Sequence, residues 1–324
     1  MWSRRRLIAA TLIGASLLAP GLFAPPAFAL DKLKLAVGQR GLWDSSFAEI
    51  GRELGIFKKH GLDVEVFYTS SGGETLQVVI SNSSNIGVSA GTLGVLGAFA
   101  KGAPLRIIGG EATGTAEYYF VRVDSPIKKM TDAKPETTLA YSTNGSGTHI
   151  TALRFMQEQN FKAKLVATGT VPATFTQVMT GQVDIGFCTP PFGLKEEGEG
   201  KIRVIALARD LESIRTQTVR TLVANAGDLA ARPDVYKRFI AAYREIIDWM
   251  YSDPKAPEMY AAYARITPEM AKTVRDKYYP KAMHQIDRIE GMKEMMDDAV
   301  AFKYMPKPLT DEQQKELLKL PGTY

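Results

Sequence analysis

The sequence predicts an α/β protein built from two similar lobes, on three observations. From Leu33 onward, apolar runs of strand length alternate with amphipathic helical stretches, the pattern of α/β architecture. Segments starting at Gln77 and Gln177 repeat one structural device. From Pro233 the pattern changes to helices alone.

In order, "LKLAV" is a strand, "SSFAEIGRELGIFKKHG" a helix capped by serine and stopped at Gly61, and "LDVEVFY" the next strand, because strands favour β-branched and aromatic residues while serine and glycine mark helix ends. "GGETLQVVISN" opens a helix after a glycine turn, and "NIGVSAG" is a strand running into a loop. A helix around Leu93 to Ala100 and the strand "LRIIGG" complete the first series. The second comprises "YYFVRV", "TTLAYS", a helix after Gly147, "KLVAT", the helix of "PATFTQVMTG", "VDIGFCTPP" and "IRVIALA". The repeated device is "QVVISNSSNIGVSAGT" and "QVMTGQVDIGFCTPP": a helix end, a polar turn, a short strand through Ile-Gly, and a small-residue loop that starts another helix. The two align with one residue inserted. In the last part, "RPDVYKRFIAAYREIIDWMYSDP" carries proline and aspartate in its first turn and an apolar stripe through Phe239, Ile240, Tyr243, Ile246, Ile247 and Met250, a face built for packing. Thr267-Pro268-Glu269 begins another helix, and Thr310 with Gln313 forms a capping box for the last.

The 324 residues, 45% hydrophobic and 23% charged, suit a globular chain of about two domains. Residues 1–29 stand apart. Arg4, Arg5 and Arg6 precede an apolar stretch from Leu7 to Ala19, and Ala27-Phe28-Ala29 is an A-x-A cleavage site, the layout of an export signal. Pro20, Gly21, Pro25 and Pro26 interrupt the apolar run short of the roughly 20 residues a membrane span needs. The mature chain is expected to begin at Leu30; general secretion and the twin-arginine route both suit the basic start. Without those three arginines the chain holds 37 basic against 35 acidic side chains, which gives no nucleic-acid footprint. The single cysteine, Cys188, allows no intrachain disulfide and no lipid anchor near the cleavage site. A monomer outside the cytoplasm is expected.

Ligands of open α/β sheets sit beyond the carboxyl ends of strands, where loops lead into helices. Four loops fit: "RGLWDSS" with Trp43 and Asp44; Ser89, Gly91 and Thr92; "STNGSGTH" with Ser142, Asn144, Gly145, Ser146, Gly147, Thr148 and His149; and Thr189 with Pro190. Their glycines allow close approach and the first amides of a helix are free and partly positive, so an organic anion is the expected solute. Arg40 adds a cation nearby, and Asp44 and Glu117 oppose an anion if they face the cleft. For catalysis or a metal the residues offer little. His60, His149 and His284 are scattered, no His or Cys pair has ligand spacing, and no Gly-x-Ser-x-Gly elbow, phosphate loop or dinucleotide fingerprint is present. No catalytic residue, metal or cofactor is expected.

Taken together, the signal, "GIFKKHGLDVEV", "IGVSAGTLGVLGAFAKGAPLRIIGG", "VRVDSPIKKMTDAK", "GSGTHITALRFM" and "MTGQVDIGFCTPPF" resemble the nitrate, sulfonate and taurine type of ABC-transporter substrate-binding protein. The resemblance runs from about Leu33 to the last helix. It implies the type II periplasmic binding protein fold: lobe 1 over 30–115 and 221–324, lobe 2 over 116–220, two crossover strands between them, and a C-terminal helical segment on lobe 1. It also implies a periplasmic protein that captures a small molecule between the lobes and presents it to a permease and ATPase at the inner membrane. An exported enzyme using His149 as acid or base, or a sensor for a membrane receptor, are the alternatives. The same fold includes a thiamin-pyrimidine synthase branch, from which this chain departs by its export signal and by lacking that branch's cysteine-rich motif.

Overall fold

The computed structural model describes residues 29–322; the expected export signal, up to residue 28, lies outside them. Strand β1 (Asp31–Gly38) is followed by α1 (Phe47–Glu53), α2 (Ile56–Lys59) and β2 (Leu62–Thr69). The single helix expected over this stretch is broken in two because Gly55 takes φ 73°, a left-handed conformation that ends α1. Then come α3 (Gly72–Ile80), β3 (Ile86–Gly91), α4 (Thr92–Ala100) and β4 (Leu105–Thr113). The second series is β5 (Tyr118–Arg122), β6 (Thr138–Tyr141), α5 (Gly147–Glu158), β7 (Lys164–Ala167), α6 (Val171–Met179), β8 (Gly186–Cys188), α7 (Leu194–Gly198), β9 (Ile202–Leu207) and α8 (Glu212–Arg215). Strand β10 (Thr218–Asn225) leads into α9 (Ala226–Ala231), α10 (Pro233–Ser252), α11 (Ala256–Ala264), α12 (Pro268–Thr273), α13 (Met292–Ala301) and α14 (Asp311–Leu317).

The first sheet has the order β2-β1-β3-β10-β4, with β1 parallel to β2 and β3, and β10 antiparallel to β3 and β4. The second lobe repeats this pattern. β6 pairs parallel with β7, bridges in parallel to Ile185 just before β8, and β5 lies antiparallel between β8 and β9. The repeated Ile-Gly device has a packing reason in each lobe. A Cβ on Gly87 would lie 2.9 Å from methyls of Thr75 and Val79 of α3, and one on Gly186 would lie 2.7 Å from Val178 of α6 and from Phe120. Only glycine lets the preceding helix settle directly on the strand.

The chain leaves the first sheet after Thr113 and re-enters it at Thr218. The two crossing segments are tied together: Gly114 N donates to Gln217 O at 2.9 Å and the Thr113 and Thr218 hydroxyls meet at 2.9 Å. The C-terminal helices pack on the first lobe as expected. On α10, Phe239 stacks on Phe57 at 6.1 Å between ring centres, and Ile246 sits over Gly51 of α1. Helix α13 packs on α4, and Leu318, just after α14, bridges to Ile107 of β4. Among the described residues no helix is long and apolar enough to cross a membrane.

The lobes meet along the loop between β6 and α5. Thr143 Oγ1 lies 2.9 Å from Ser71 Oγ, Gly145 N donates to the Tyr304 hydroxyl at 2.8 Å, and Val171 N donates to Gln39 Oε1 at 3.3 Å. Gly145, at φ 78°, sits with its Cα against Gly94. A Cβ on Gly91 would stand 2.1 Å from the Gly145 carbonyl oxygen, although the backbone there, φ −67° and ψ 123°, accepts any residue. Gly91→Ala is therefore expected to fold normally and to hold the lobes apart. Small-angle scattering should give it a larger radius of gyration than the wild type, and equal radii would refute this reading of the contact.

Candidate functional site

Between the lobes lies a cavity of about 50 Å³, on a measure in which one water needs roughly 10–15 Å³. It accepts a group of few heavy atoms. Its walls are the loops beyond the strand ends: Gly38, Gln39 and Leu42 after β1, Ser70 to Gly72 after β2, Ser89 in β3, Ser142 and Ser146 to Thr148 after β6, Gly169 and Val171 after β7, and Phe187 and Thr189 at β8. Glu117 and Arg220 complete it.

Two opposite walls are made the same way. Thr69, at the end of β2, meets Thr75 of α3 hydroxyl to hydroxyl at 2.6 Å, while Thr168, just after β7, meets Thr174 of α6 at 2.6 Å. Thr75 and Thr174 each donate back to the residue that caps their helix, Ser71 O and Thr170 O. These pairs pin the strand-to-helix turns, so the first amides of α3 and α6 stand at the cavity. Helix α5 enters from the same side, capped by Ser146, whose Oγ accepts from His149 N. The first amides of all three lack intrahelical partners and carry partial positive charge. Gln39 and Ser89 hold left-handed backbone, φ 50° and 65°, strain of the kind that clusters at binding sites, although Asn82, Asn160, Arg265 and Lys303 adopt it away from the cavity. Among the described residues no partner of good hydrogen-bond geometry reaches the buried Ser89 hydroxyl, which lies beside the Glu111 carboxyl.

Behind the cavity sits a buried charge cluster. Arg220 Nη2 lies 3.4 Å from Asp44 Oδ2 and its Nε 3.7 Å from Glu111 Oε2. Glu117 accepts at Oε2 from the Thr115 hydroxyl. Burial opposes the charge on Arg220, but Asp44, Glu111 and Glu117 raise its pKa above the ordinary value. Burial and the Asp44 carboxylate push Glu111 up to about 8 against the pull of Arg220. Burial also raises Glu117, with Arg220 again opposing. Cys188 is pushed up to about 12 by burial and its Sγ points at Phe192 O, an inert thiol. Among the described residues no cluster of His, Cys, Asp and Glu has the arrangement of a metal site.

Of the residues singled out from the sequence, Ser89, Ser142, Ser146, Gly147, Thr148 and Thr189 line the cavity. The structure places the others elsewhere. Trp43 is fully buried in the first lobe, its Nε1 donating to the Tyr251 hydroxyl at 2.9 Å and its ring edge-on to Tyr260; its neighbour Leu42 reaches the cavity instead. Asp44 is turned away toward Arg220. Thr92 donates to Thr218 O at 2.6 Å, and Gly91 and Gly145 serve the contact between lobes. Asn144 is exposed and accepts from the Tyr141 hydroxyl at 2.7 Å. His149 stacks on Tyr141 at 4.1 Å, its Nδ1 facing the Tyr304 hydroxyl, and burial lowers its pKa to about 4. Pro190 is joined by a cis bond to Pro191, and its carbonyl accepts from the Tyr279 hydroxyl at 3.4 Å. Arg40 lies over the rings of Tyr68 and Tyr263. The sequence reading missed Gln39, the Ser70–Gly72 turn, Gly169 and Arg220. The signal for Arg220 was a charged residue inside the apolar run "TVRTLVAN", since buried charges are rare unless paired.

Raised acids also make a prediction about stability. The folded state keeps Glu111 protonated at pH values where the unfolded chain has released that proton, so its contribution is full below the ordinary carboxylate pKa near 4.5 and is lost as pH rises through about 8. Wild-type melting temperature should therefore fall between those values relative to Glu111→Gln, measured in the same buffers. Parallel curves for the two proteins would show that Glu111 is ionised throughout.

A protein-family model described as NMT1/THI5 like matches residues 47–257. Among curated protein sequences nothing matches the chain. Solved structures with the same fold include the periplasmic aliphatic sulphonate binding protein SsuA of Escherichia coli, with TM-score 0.68 and 19% identity over 87% of this chain and 91% of that one. The alkanesulfonate-binding protein SsuA of Xanthomonas axonopodis pv. citri bound to MOPS matches with TM-score 0.71 and 16% identity over 89% and 98%. The periplasmic nitrate-binding protein NrtA of Synechocystis PCC 6803 matches with TM-score 0.65 and 16% identity over 88% and 84%. The overall architecture is thus that of the periplasmic binding proteins, two α/β lobes with a cavity between them, and since the family model covers more than half of its length, the chain belongs to the NMT1/THI5 like family.

Proposed function

We propose that this protein is the extracytoplasmic solute-binding component of an ABC importer. It works as a monomer in the periplasm, closes its lobes 30–115 with 221–324 and 116–220 on a small solute, and presents the closed form to a permease and ATPase. The observation that carries the reading is the cavity itself: helix N-termini and hydroxyls of both lobes converge on a space for few heavy atoms, so the solute completes contacts that neither lobe can make alone. The amides at Gly72 and Gly147 and the hydroxyls of Ser89, Ser142 and Thr148 suit an anionic or strongly polar oxygen group. The sulfonate and nitrate binding named for the structural relatives supports that class. Transport is favoured over catalysis because no histidine or cysteine lines the cavity among the described residues and His149, the candidate acid or base, is stacked outside it.

The test is a thermal-shift screen of short sulfonates and carboxylates followed by small-angle scattering. A solute at 100 times its dissociation constant adds about 2.7 kcal/mol of stability, and binding should compact the wild type. Thr148→Ala, which removes a hydroxyl at the cavity, should weaken binding roughly tenfold, the value of one hydrogen bond to a charged group. Asn144→Ala should leave it within about twofold, because its side chain serves Tyr141. A bound solute with unchanged scattering would argue for a rigid pocket and against capture by closure.

A further inference from the structure

Glu117 is 4% exposed and lines the cavity. Its two carboxyl oxygens have different surroundings. Oε2 accepts from the Thr115 hydroxyl. Oε1 is reached by no hydrogen bond or ion pair among the described residues, and it stands 3.8 Å from where a Cβ on Gly147, the first residue of α5, would lie. The charged and titratable groups facing Glu117 are Arg220 of β10, Asp44 from the loop after β1, and the phenols of Tyr119 in β5 and Tyr279 after α12, which burial keeps protonated. Arg220 turns its guanidinium to Asp44 and to Glu111 of β4. The first turn of α5 brings no cation, since its one basic side chain, His149, is neutral and turned to Tyr141 and Tyr304.

An oxygen anion held at the N-terminus of α5 lies within reach of Oε1, and only one form of the carboxyl tolerates it. As a carboxylate, Glu117 would set like charge against like charge in a site shielded from water, where such pairs repel strongly. As an acid it has one O–H to give, and because Oε2 is occupied as an acceptor, that proton sits on Oε1. A hydrogen bond donated to an anion is among the shorter and stronger ones. We infer that Glu117 holds the anionic oxygen of the solute as a carboxylic acid, donating from Oε1, so that capture takes a proton from solvent whenever the free protein has released it. This rests on the anion-binding reading and deepens it: a side chain that on charge alone opposes an anion becomes a donor to it. Burial raises the Glu117 pKa in the free protein against the pull of Arg220, and a bound anion raises it further. Binding is therefore strongest while Glu117 is protonated in the free protein, and it weakens as pH rises through the pKa of that state, by up to about tenfold per pH unit for one proton.

The experiment is calorimetry on the mature protein with ethanesulfonate and with nitrate, both ionised throughout, from about pH 6 to about pH 9 in a buffer free of sulfonates. The wild type should lose affinity with rising pH for whichever probe binds. Glu117→Gln keeps a neutral N–H donor in the same place, so it should match the wild type within about threefold near pH 6 and show no slope. A wild type without a slope overturns the inference and leaves solute capture standing, as does a slope that survives in Glu117→Gln or a folded Glu117→Gln that has lost the probe near pH 6. If Glu117→Gln does not fold, Glu111→Gln decides: a slope kept there assigns the proton to Glu117, and a slope lost assigns it to Glu111 and overturns the inference. If neither probe binds at any pH, capture of small anions fails, and the inference fails with it.

Discussion

Everything in this structure is arranged around one buried guanidinium. Arg220 sits in β10, the strand by which the chain re-enters the first lobe, and faces Asp44 from the loop after β1 and Glu111 from β4, the strand by which it leaves. Glu117 opens the second lobe just past the crossing. The charged groups therefore mark the junction of the lobes, where the crossing segments are tied by Gly114 to Gln217 and Thr113 to Thr218. Stability alone does not account for them. Apolar residues of like volume often serve as well as a buried ion cluster, while removing one partner from it typically costs about 3–5 kcal/mol. Among the described residues, Nε and Nη2 of Arg220, both Glu111 oxygens and Asp44 Oδ2 lack partners of good hydrogen-bond geometry, so the cluster is held by charge at distances of 3.4 to 3.7 Å and not by saturated geometry.

Around this junction the lobes repeat one construction. Each has a parallel pair of strands joined by a helix, a third parallel strand laid under the next helix through Ile-Gly, and antiparallel strands on the far side. The turns facing the cavity are pinned by the same threonine pair, Thr69 with Thr75 and Thr168 with Thr174. The lobes differ in the loop after their first strand. In the first lobe it buries Trp43 and carries Asp44 inward to Arg220; in the second it is the glycine loop ending in Ser146 and α5. That loop therefore brings charge in the first lobe and amides in the second.

The alternation of strands and helices was legible because burial imposes periods of two and 3.6 on the side chains. The Ile-Gly repeat was legible because close packing of a helix on a strand leaves room for glycine only. The site was legible in part, and the missed residues share a physical cause. A loop at a helix N-terminus has two faces, and spacing does not say which one meets the ligand. Ser142, Ser146 and Thr148 face the cavity, whereas Asn144 and His149 of the same loop turn to Tyr141 and Tyr304. Trp43 looked like a ligand cover because it stood among small residues, but its partners Tyr251 and Tyr260 lie more than two hundred positions along the chain. Arg220 hid inside a strand whose neighbours are set by long-range pairing.

In the proposed capture of a solute, the two faces of the glycine loop couple binding to closure. Ser142 and Ser146, hydrogen-bonded to one another at 2.8 Å, form the face toward the cavity. Thr143 and Gly145, which alternate with them, form the face toward the first lobe, bonded to Ser71 and Tyr304 and packed on Gly91 and Gly94. Burial keeps the His149 ring neutral beside that contact, so its Nδ1 is free to accept from the Gly145 amide at 3.2 Å. A solute that orders the first face holds the second in the shape the first lobe accepts. A closed first lobe in turn holds the amides of α5 where the solute needs them. Binding and closure are then two descriptions of one equilibrium, and the differential contact that biases it is made across a loop only one residue thick.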